Sequence, residues 1–257
     1  MTRAGIAFRT GTVVGGASVP MDGAHFRAPQ KTFDARDREG HPYWPDGYSR
    51  AVLDSDYARV EQMLHVRQFG WNEIPKAGGL FAKMLDAAGA SCDRARLNYT
   101  DCNHCAQGCT FDKKRTLLHS CLPLAESHGV EVRSPSLVDH IDAVGSLNVV
   151  DRDRASYDAY LDRMDAALAD VSAKSGVTLL PIVPRRLSGT TCAHLLSACR
   201  MADTKERGVA DSNGRVFDYE NLCVCDASAV PYALGVNPAL TISAIAERTA
   251  EFVVERG

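Results

Sequence analysis

Features of membrane, exported and nucleic-acid-binding proteins are all missing from this chain of 257 residues. No apolar run approaches the roughly 20 residues that a membrane span needs, and the N-terminus lacks the basic-then-apolar pattern of a signal peptide. The formal net charge of −3 gives no electrostatic reason to bind nucleic acid or an anionic membrane. We therefore expect a cytoplasmic protein that acts on a small-molecule substrate, with neither nucleic acid nor a membrane as a partner.

The sequence also has neither an even number of cysteines nor an internal repeat. The nine cysteines are an odd number in a chain without an export signal, which indicates reduced thiols rather than a disulfide scaffold. Contents of 45% hydrophobic and 24% charged residues are ordinary for a globular protein. A chain of this length can bury a sizeable core, and we predict a single compact domain over residues 1–257.

The third absence concerns phosphate binding. Gly-x-Gly occurs nowhere in the sequence. The chain therefore has no Gly-x-Gly-x-x-Gly turn, the motif that holds the pyrophosphate of a dinucleotide at a helix N-terminus. We expect the chain alone to have little affinity for a dinucleotide.

The residues whose side chains could take part in catalysis lie between positions 190 and 248. His194 stands in an apolar run, and residues 222–226 predict a buried strand that ends in the carboxylate of Asp226. Asn237 and Pro238 then precede an apolar stretch of helical pattern. Proline suits the first turn of a helix because its missing N–H would have no partner there, so we predict a helix from Pro238 with Asn237 as its cap. An imidazole, an amide and a helix N-terminus at one spot would transfer protons and stabilise negative charge.

These residues resemble the C-terminal signature of the glucose–methanol–choline (GMC) flavin oxidoreductases, in particular its cholesterol-oxidase-like branch. The family pattern has an active-site His, a strand that ends in Asp, and Gly-x-Asn-Pro before the last helix. The resemblance implies that His194 and Asn237 are the catalytic pair, which handles the alcohol proton while the flavin takes the hydride. It also implies that Asp226 and Pro238 contact the cofactor, FAD.

Near the N-terminus, Gly15, Gly16 and Ser18 follow a short apolar run. By themselves they predict a glycine turn between two short elements. The family has a Gly-Gly-x-Ser loop that touches the flavin, so the resemblance implies that these three residues bind the cofactor.

The resemblance has gaps. It covers residues 1–133 and 151–257, with a break at 134–150, where most of the family's central region is skipped. The family's N-terminal dinucleotide-binding unit has no counterpart, and the Gly-Thr or Gly-Gly that the family has before a Cys is replaced by Ser197 and Ala198. The resemblance thus implies a reduced, truncated family member, and we expect a homo-oligomer or a complementing chain as its partner.

The densest cysteine cluster has two interpretations. Cys-x2-Cys with a third Cys close by is typical of zinc and iron–sulfur sites, and the ligands here would be Cys102, Cys105 and Cys109. Cys92, His104, His119 and Cys121 are the candidates for a fourth ligand. The GMC family carries a similar Cys-rich loop, for which the resemblance implies no metal.

We predict an α+β fold: a small mixed sheet that includes residues 222–226, packed by helices near 54–66, 115–127, 155–175 and 238–255. The first functional hypothesis is flavin-dependent oxidation of a CH–OH group in a sterol-like or polyketide-like alcohol. The second is cofactor-independent isomerisation, cyclisation or dehydration through acid/base chemistry at His194. The third is a non-catalytic partner subunit, since an apolar surface exposed by the missing family domain would favour oligomerisation. For His194 itself the alternative is a buried core residue, of which an isolated His in an apolar run is also typical.

Overall fold

The computed structural model describes residues 6–8, 13–99, 109, 112–132, 154–179, 190–192 and 194–256. Within them the chain forms two small sheets and a larger set of helices. The helices are α1 (Gln30–Phe33), α2 (Asp54–Met63), α3 (Lys76–Ala87), α4 (Cys121–Ser127), α5 (Arg154–Ser175) and α6 (Ala239–Arg256). The strands are β1 (Ile6–Phe8), β2 (Arg67–Gln68), β3 (Arg96–Leu97) and β4 (Thr190–Cys192). β1 pairs with β4, and β2 pairs antiparallel with β3. The predicted α+β class is confirmed.

The chain divides into two compact units. The first comprises Met1–Phe8, Phe69–Arg94 and Val130–Thr191, and within it α3 packs against α5. The second comprises Arg9–Gln68, Ala95–Gly129 and Cys192–Gly257, and its central contact is between α2 and α6. The sequence predicts a single compact domain, whereas the contacts within the chain divide it into these two units. The candidate catalytic and cofactor-binding residues all fall in the second unit.

The core of the second unit lies between α2 and α6. On α2, Tyr57 and Val60 are fully buried at the helical spacing that the sequence shows, and on α6 Leu240 and Ile245 are buried with them. Each such side chain stabilises the fold by about 1.5–3 kcal/mol on burial. The remaining core residues come from α1, α6, two 3-10 turns and the loops, and they are Ala28, Phe33, Trp44, Tyr48, Leu53, Leu64, Met201, Ala229, Val230, Leu234 and Ala244.

Helix α2 ends in a left-handed turn. His65 has φ 53°, its N–H donates to the Gln62 carbonyl (3.2 Å), and the Val66 N–H donates to the Glu61 carbonyl (2.8 Å). This pair of bonds satisfies carbonyls that the end of a helix would otherwise leave free. His65 is exposed there, so it terminates the helix at the surface.

The helices predicted near 54–66, 155–175 and 238–255 are confirmed as α2, α5 and α6, and the one near 115–127 is confirmed in its second half as α4. The predicted strand 222–226 is wrong. That segment makes one antiparallel bridge, Cys223 with Arg215, and then turns into a 3-10 helix at Ala227. Among the described helices, none combines the length and the apolar character that crossing a membrane requires.

Candidate functional site

The glycine loop is a tight left-handed turn. Gly15 has φ 90° and Gly16 has φ 54°, and a 3-10 turn spans Gly16–Ser18. Glycine adopts this region without the strain that a Cβ brings. A Cβ on Gly16 would meet no heavy atom within 4 Å, so its backbone is open to an approaching ligand. The Ser18 hydroxyl donates to the Gly15 carbonyl (2.6 Å) and accepts from the Leu117 N–H (3.2 Å), which fixes the loop.

A buried lysine holds the segment that follows this loop. Lys114 has no exposed surface, and its ammonium donates to the carbonyls of Val19 and Met21, both at 2.6 Å. Since a buried charge without partners is costly, these two bonds are what allow the ammonium to lie inside. Sequence analysis missed Lys114, because a lysine in a Lys-Lys pair normally predicts a solvated surface.

His194 lies at the start of a loop that is tied to the 3-10 turn Ala227–Ala229. The loop makes three bonds to that region: Ser197 Oγ to the Val230 carbonyl (2.7 Å), Cys199 N–H to the Ser228 carbonyl (3.0 Å) and Met201 N–H to the Ala229 carbonyl (2.9 Å). Leu196 packs against the core, whereas His194 and Leu195 are exposed. His194 is therefore not a buried core residue.

Asp226 caps the same 3-10 turn. Its Oδ1 accepts from the Ser228 N–H (2.8 Å) and from the Ser228 hydroxyl, and the residue is exposed. A side chain that accepts from the N–H two residues ahead satisfies the free donors at a helix start. Asp226 thus stands at the beginning of a turn rather than at the end of a strand, within the segment to which the His194 loop is bonded.

The final helix begins one residue later than predicted. α6 starts at Ala239, and the carbonyl of Pro238 accepts its first bond from the Ile242 N–H (2.9 Å). Pro238, which is buried, therefore takes the capping position that the sequence gives to Asn237. Asn237 is half-buried, and Val236 before it packs against the same core as Leu196. The meeting of the His194 and Asn237 side chains stays a prediction.

A small pocket, partly open to solvent, lies elsewhere in this unit. Its floor is aromatic at Tyr43 and Trp44, and its rim carries Arg207, which donates to Asp37 (3.3 Å) and to the Pro42 carbonyl (3.3 Å). No candidate site residue lines it. The pocket walls carry no imidazole, and the charges of Asp37 and Arg207 form an ion pair there.

Beside this pocket, Asp37, Glu39 and His41 bring their ligand atoms within 4.8 Å of one another. Asp37 Oδ1 accepts from the N–H groups of Glu39 (3.0 Å) and His41 (2.9 Å), and these bonds hold the pKa of its carboxyl below the usual range. The turn and the ion pair with Arg207 explain the cluster, and we assign no metal to it.

The cysteine cluster lies largely outside the described residues, which include Cys109 but neither Cys102 nor Cys105. Cys109 Sγ accepts from the Lys114 N–H at 3.3 Å. His119, a candidate fourth ligand, uses Nδ1 with Thr116 (3.1 Å) and Nε2 with Asp112 (3.1 Å). Another candidate, Cys121, places its sulfur 3.3 Å from that of Met63. The metal site thus stays a prediction. Two candidates for its fourth ligand, His119 and Cys121, already contact other side chains.

A second histidine was not singled out by sequence analysis. His25 is fully buried, and neither ring nitrogen has a hydrogen-bond partner. Burial lowers the pKa of His25 to about 4, against the smaller opposing effects of Asn98 and Glu61 nearby. The imidazole is therefore neutral at physiological pH.

The comparisons with known proteins match the C-terminal part of the chain and short segments of longer relatives. A family model described as GMC oxidoreductase matches residues 146–246. The chain is 49% identical over 61 residues to a cholesterol oxidase of Acinetobacter baumannii, covering 24% of this chain and 11% of the relative. It is 36% identical over 97 residues to a long-chain-alcohol oxidase of Arabidopsis thaliana, covering 36% of this chain and 12% of the relative.

A third relative is a GMC-type oxidoreductase of Sinorhizobium fredii, 42% identical over 69 residues, which are 27% of this chain and 14% of that protein. The matched segments thus span about a tenth of the curated relatives' length. The matched family region contains His194, Asp226, Asn237 and Pro238. Residues 146–246 of this chain are therefore similar to the GMC oxidoreductase family.

Proposed function

We propose that this chain takes part in the flavin-dependent oxidation of an alcohol CH–OH group, with His194 as the base that receives the hydroxyl proton. The observation that carries the proposal is the exposed imidazole on a loop with three hydrogen bonds to the 227–230 region. An imidazole that is reachable by substrate yet held by its neighbours has what general base catalysis requires.

The chain's own groups have three tasks in this reaction. His194 removes the proton as the carbonyl forms. Asn237, at the end of the loop before α6, orients the substrate hydroxyl through its amide. The first turn of α6 offers unpaired N–H groups, which stabilise negative charge on the substrate oxygen as the proton leaves.

The residues present suit the ring end of FAD but not its pyrophosphate. The space around Gly16 leaves room for a flat ring, although the Gly16 N–H itself donates to the Val13 carbonyl (2.8 Å). The exposed Asp226 offers a carboxylate to a polar edge of such a ring. FAD, when bound, would supply the hydride acceptor. Because the Gly-x-Gly-x-x-Gly cradle is absent, we expect weak binding of FAD by this chain alone and tighter binding in the presence of a complementing chain.

The substrate class follows from the relatives' names. Cholesterol oxidase and long-chain-alcohol oxidase both name a hydroxyl on a large apolar molecule. We therefore propose a sterol-like or other large apolar alcohol, polyketides included, as the substrate.

The test combines cofactor binding with turnover. FAD affinity would be followed by quenching of flavin fluorescence, and oxidation by dye reduction with cholesterol and with a long-chain primary alcohol. His194→Ala should lower kcat/KM by about a hundredfold or more. His128→Ala is the matched control, because that histidine is also exposed and lies directly after the C-terminal end of α4. Full turnover by His194→Ala would rule the proposal out.

A second candidate, cofactor-free proton transfer, is favoured by one observation. Three protein hydrogen bonds tie the His194 loop to the 227–230 region, and such bonds would hold its base in place without a flavin. A steroid β,γ-unsaturated ketone is the probe, because its isomerisation to the conjugated ketone is seen by ultraviolet absorbance. Isomerisation without added FAD, lost in His194→Ala, would select this candidate over the oxidase.

A further inference from the structure

Ser197 adopts a backbone conformation that its side chain disfavours. Its φ is 70°, in the left-handed region where a Cβ costs about 1–2 kcal/mol. Four other non-glycine residues of the described chain have positive φ: His65, Asp112, Asp218 and Asn221. Those four are exposed and of the types that most often occupy this region, whereas Ser197 is half-buried and is not.

A side-chain hydrogen bond supports this conformation. The Ser197 hydroxyl donates to the carbonyl of Val230 at 2.7 Å, and Val230 is fully buried. A hydrogen bond of this kind offsets strain of about the same size. The left-handed turn and the bond together bend the chain so that Leu196 enters the core while His194 and Leu195 stay exposed.

Ser197 is also the anchor nearest to the candidate base. The loop's other two bonds, from Cys199 and Met201, lie further along the chain. Between Ser197 and His194 there are two residues, and of these Leu196 alone packs against the core. Strained backbone retained by a specific contact is characteristic of sites where geometry matters for function.

We propose that Ser197 is a positioning residue for His194: its hydroxyl bond to Val230 locks the left-handed turn that presents the imidazole. This rests on the proposed function of His194. Removing the bond loosens the loop, and a misplaced base lowers the rate by up to about a hundredfold.

The test uses two substitutions with opposite effects on strain. Ser197→Gly removes the bond and relieves the strain, so its melting temperature should equal or exceed that of the wild type. Ser197→Ala removes the bond and keeps the strain, so it should melt a few degrees lower. If Ser197 served stability alone, the glycine variant would behave as the wild type in every other measurement.

The deciding measurement is heteronuclear NMR of the loop. In Ser197→Gly we expect amide order parameters at residues 194–196 to fall from about 0.85 to below about 0.6 and the His194 ring resonances to move towards those of a free histidine. His65→Gly is the control, because it relieves a left-handed turn at the end of α2 without touching the loop. Ser197→Asn, a residue type that tolerates positive φ, serves if the glycine variant does not fold.

Unchanged order parameters and ring resonances in the glycine or asparagine variant would overturn the proposal. Failure of the proposed function has a different signature. In that case the wild-type chain shows neither oxidation nor isomerisation, while the loop still loosens in the variants. Where the wild type is active, the glycine variant should lose tenfold to about a hundredfold in kcat with little change in melting temperature.

Discussion

His25 makes the stability of the protein depend on pH. The ring is fully buried without hydrogen-bond partners, and burial lowers its pKa to about 4 from the usual 6.5. The unfolded chain therefore binds a proton more readily than the folded one between these values. The free energy of unfolding is therefore not reduced by His25 above about pH 6.5. As the pH falls towards 4 it decreases, by roughly 3 kcal/mol in all.

Urea unfolding at a series of pH values between 7.5 and 4 checks this prediction. His25→Leu should flatten the curve in that window, because the leucine does not titrate. His41→Gln is the control, since His41 is exposed. An unchanged pH dependence in His25→Leu would show that other groups cause it.

Gly23 is required by its surroundings as well as by its backbone. It has φ 76°, and a Cβ there would lie 2.6 Å from Asn98 Oδ1 and 2.8 Å from the Tyr99 ring. We expect Gly23→Ala to destabilise the protein by about 2–4 kcal/mol, from conformational strain and overpacking together. Gly40→Ala is the matched control, with φ 88° and nothing within 4 Å, and should cost only about 1–2 kcal/mol. Equal losses, measured by denaturant unfolding, would contradict the prediction.

At the scale of single residues, the sequence identifies residue types but not their partners. His194 and Asp226 were selected by their setting in the chain, and the structure describes both as exposed. His25 and Lys114 were missed because what distinguishes them is burial against distant segments, near Asn98 and near Val19. No local pattern carries such information.

At the scale of elements, one hydroxyl pair joins α2 to α6. Tyr57 Oη and Thr241 Oγ1 are 2.9 Å apart, and both residues are fully buried. Tyr57→Phe or Thr241→Val should each cost about 1–3 kcal/mol, because each leaves a buried hydroxyl without its partner. The double variant should lose less than the sum, since no unpaired group remains. Additive losses in a double-mutant cycle would show that the two hydroxyls do not interact.

The helices were predictable and the strands were not, for a physical reason. A helix is defined by local periodicity, and Tyr57, Val60 and Leu64 show it within one segment. A strand needs a partner, and residues 222–226 find only the short stretch around Arg215 before Asp226 caps a turn. The exact start of α6 was missed by one residue, which is within the usual uncertainty of helix ends.

At the scale of the whole molecule, the helices differ in how much apolar side-chain surface they bury. α6 places Leu240, Ala244 and Ile245 in the core, whereas on α5 Met164 and Leu168 are 43% and 42% exposed. Hydrogen exchange should therefore be slowest in α6 and its partner α2, and much faster in α5. Mass spectrometry of exchanging protein checks this order. Protection of α5 equal to that of α6 would mean that another surface covers it in solution.

Lys114 has a consequence for chemical footprinting. The chain has six other lysines, all of them exposed: Lys31, Lys76, Lys83, Lys113, Lys174 and Lys205. An amine-reactive ester should acylate those six and spare Lys114, whose ammonium is enclosed and engaged by two carbonyls. The rate at which Lys114 is acylated would then report how often the glycine loop's supporting segment opens, independently of any substrate or cofactor.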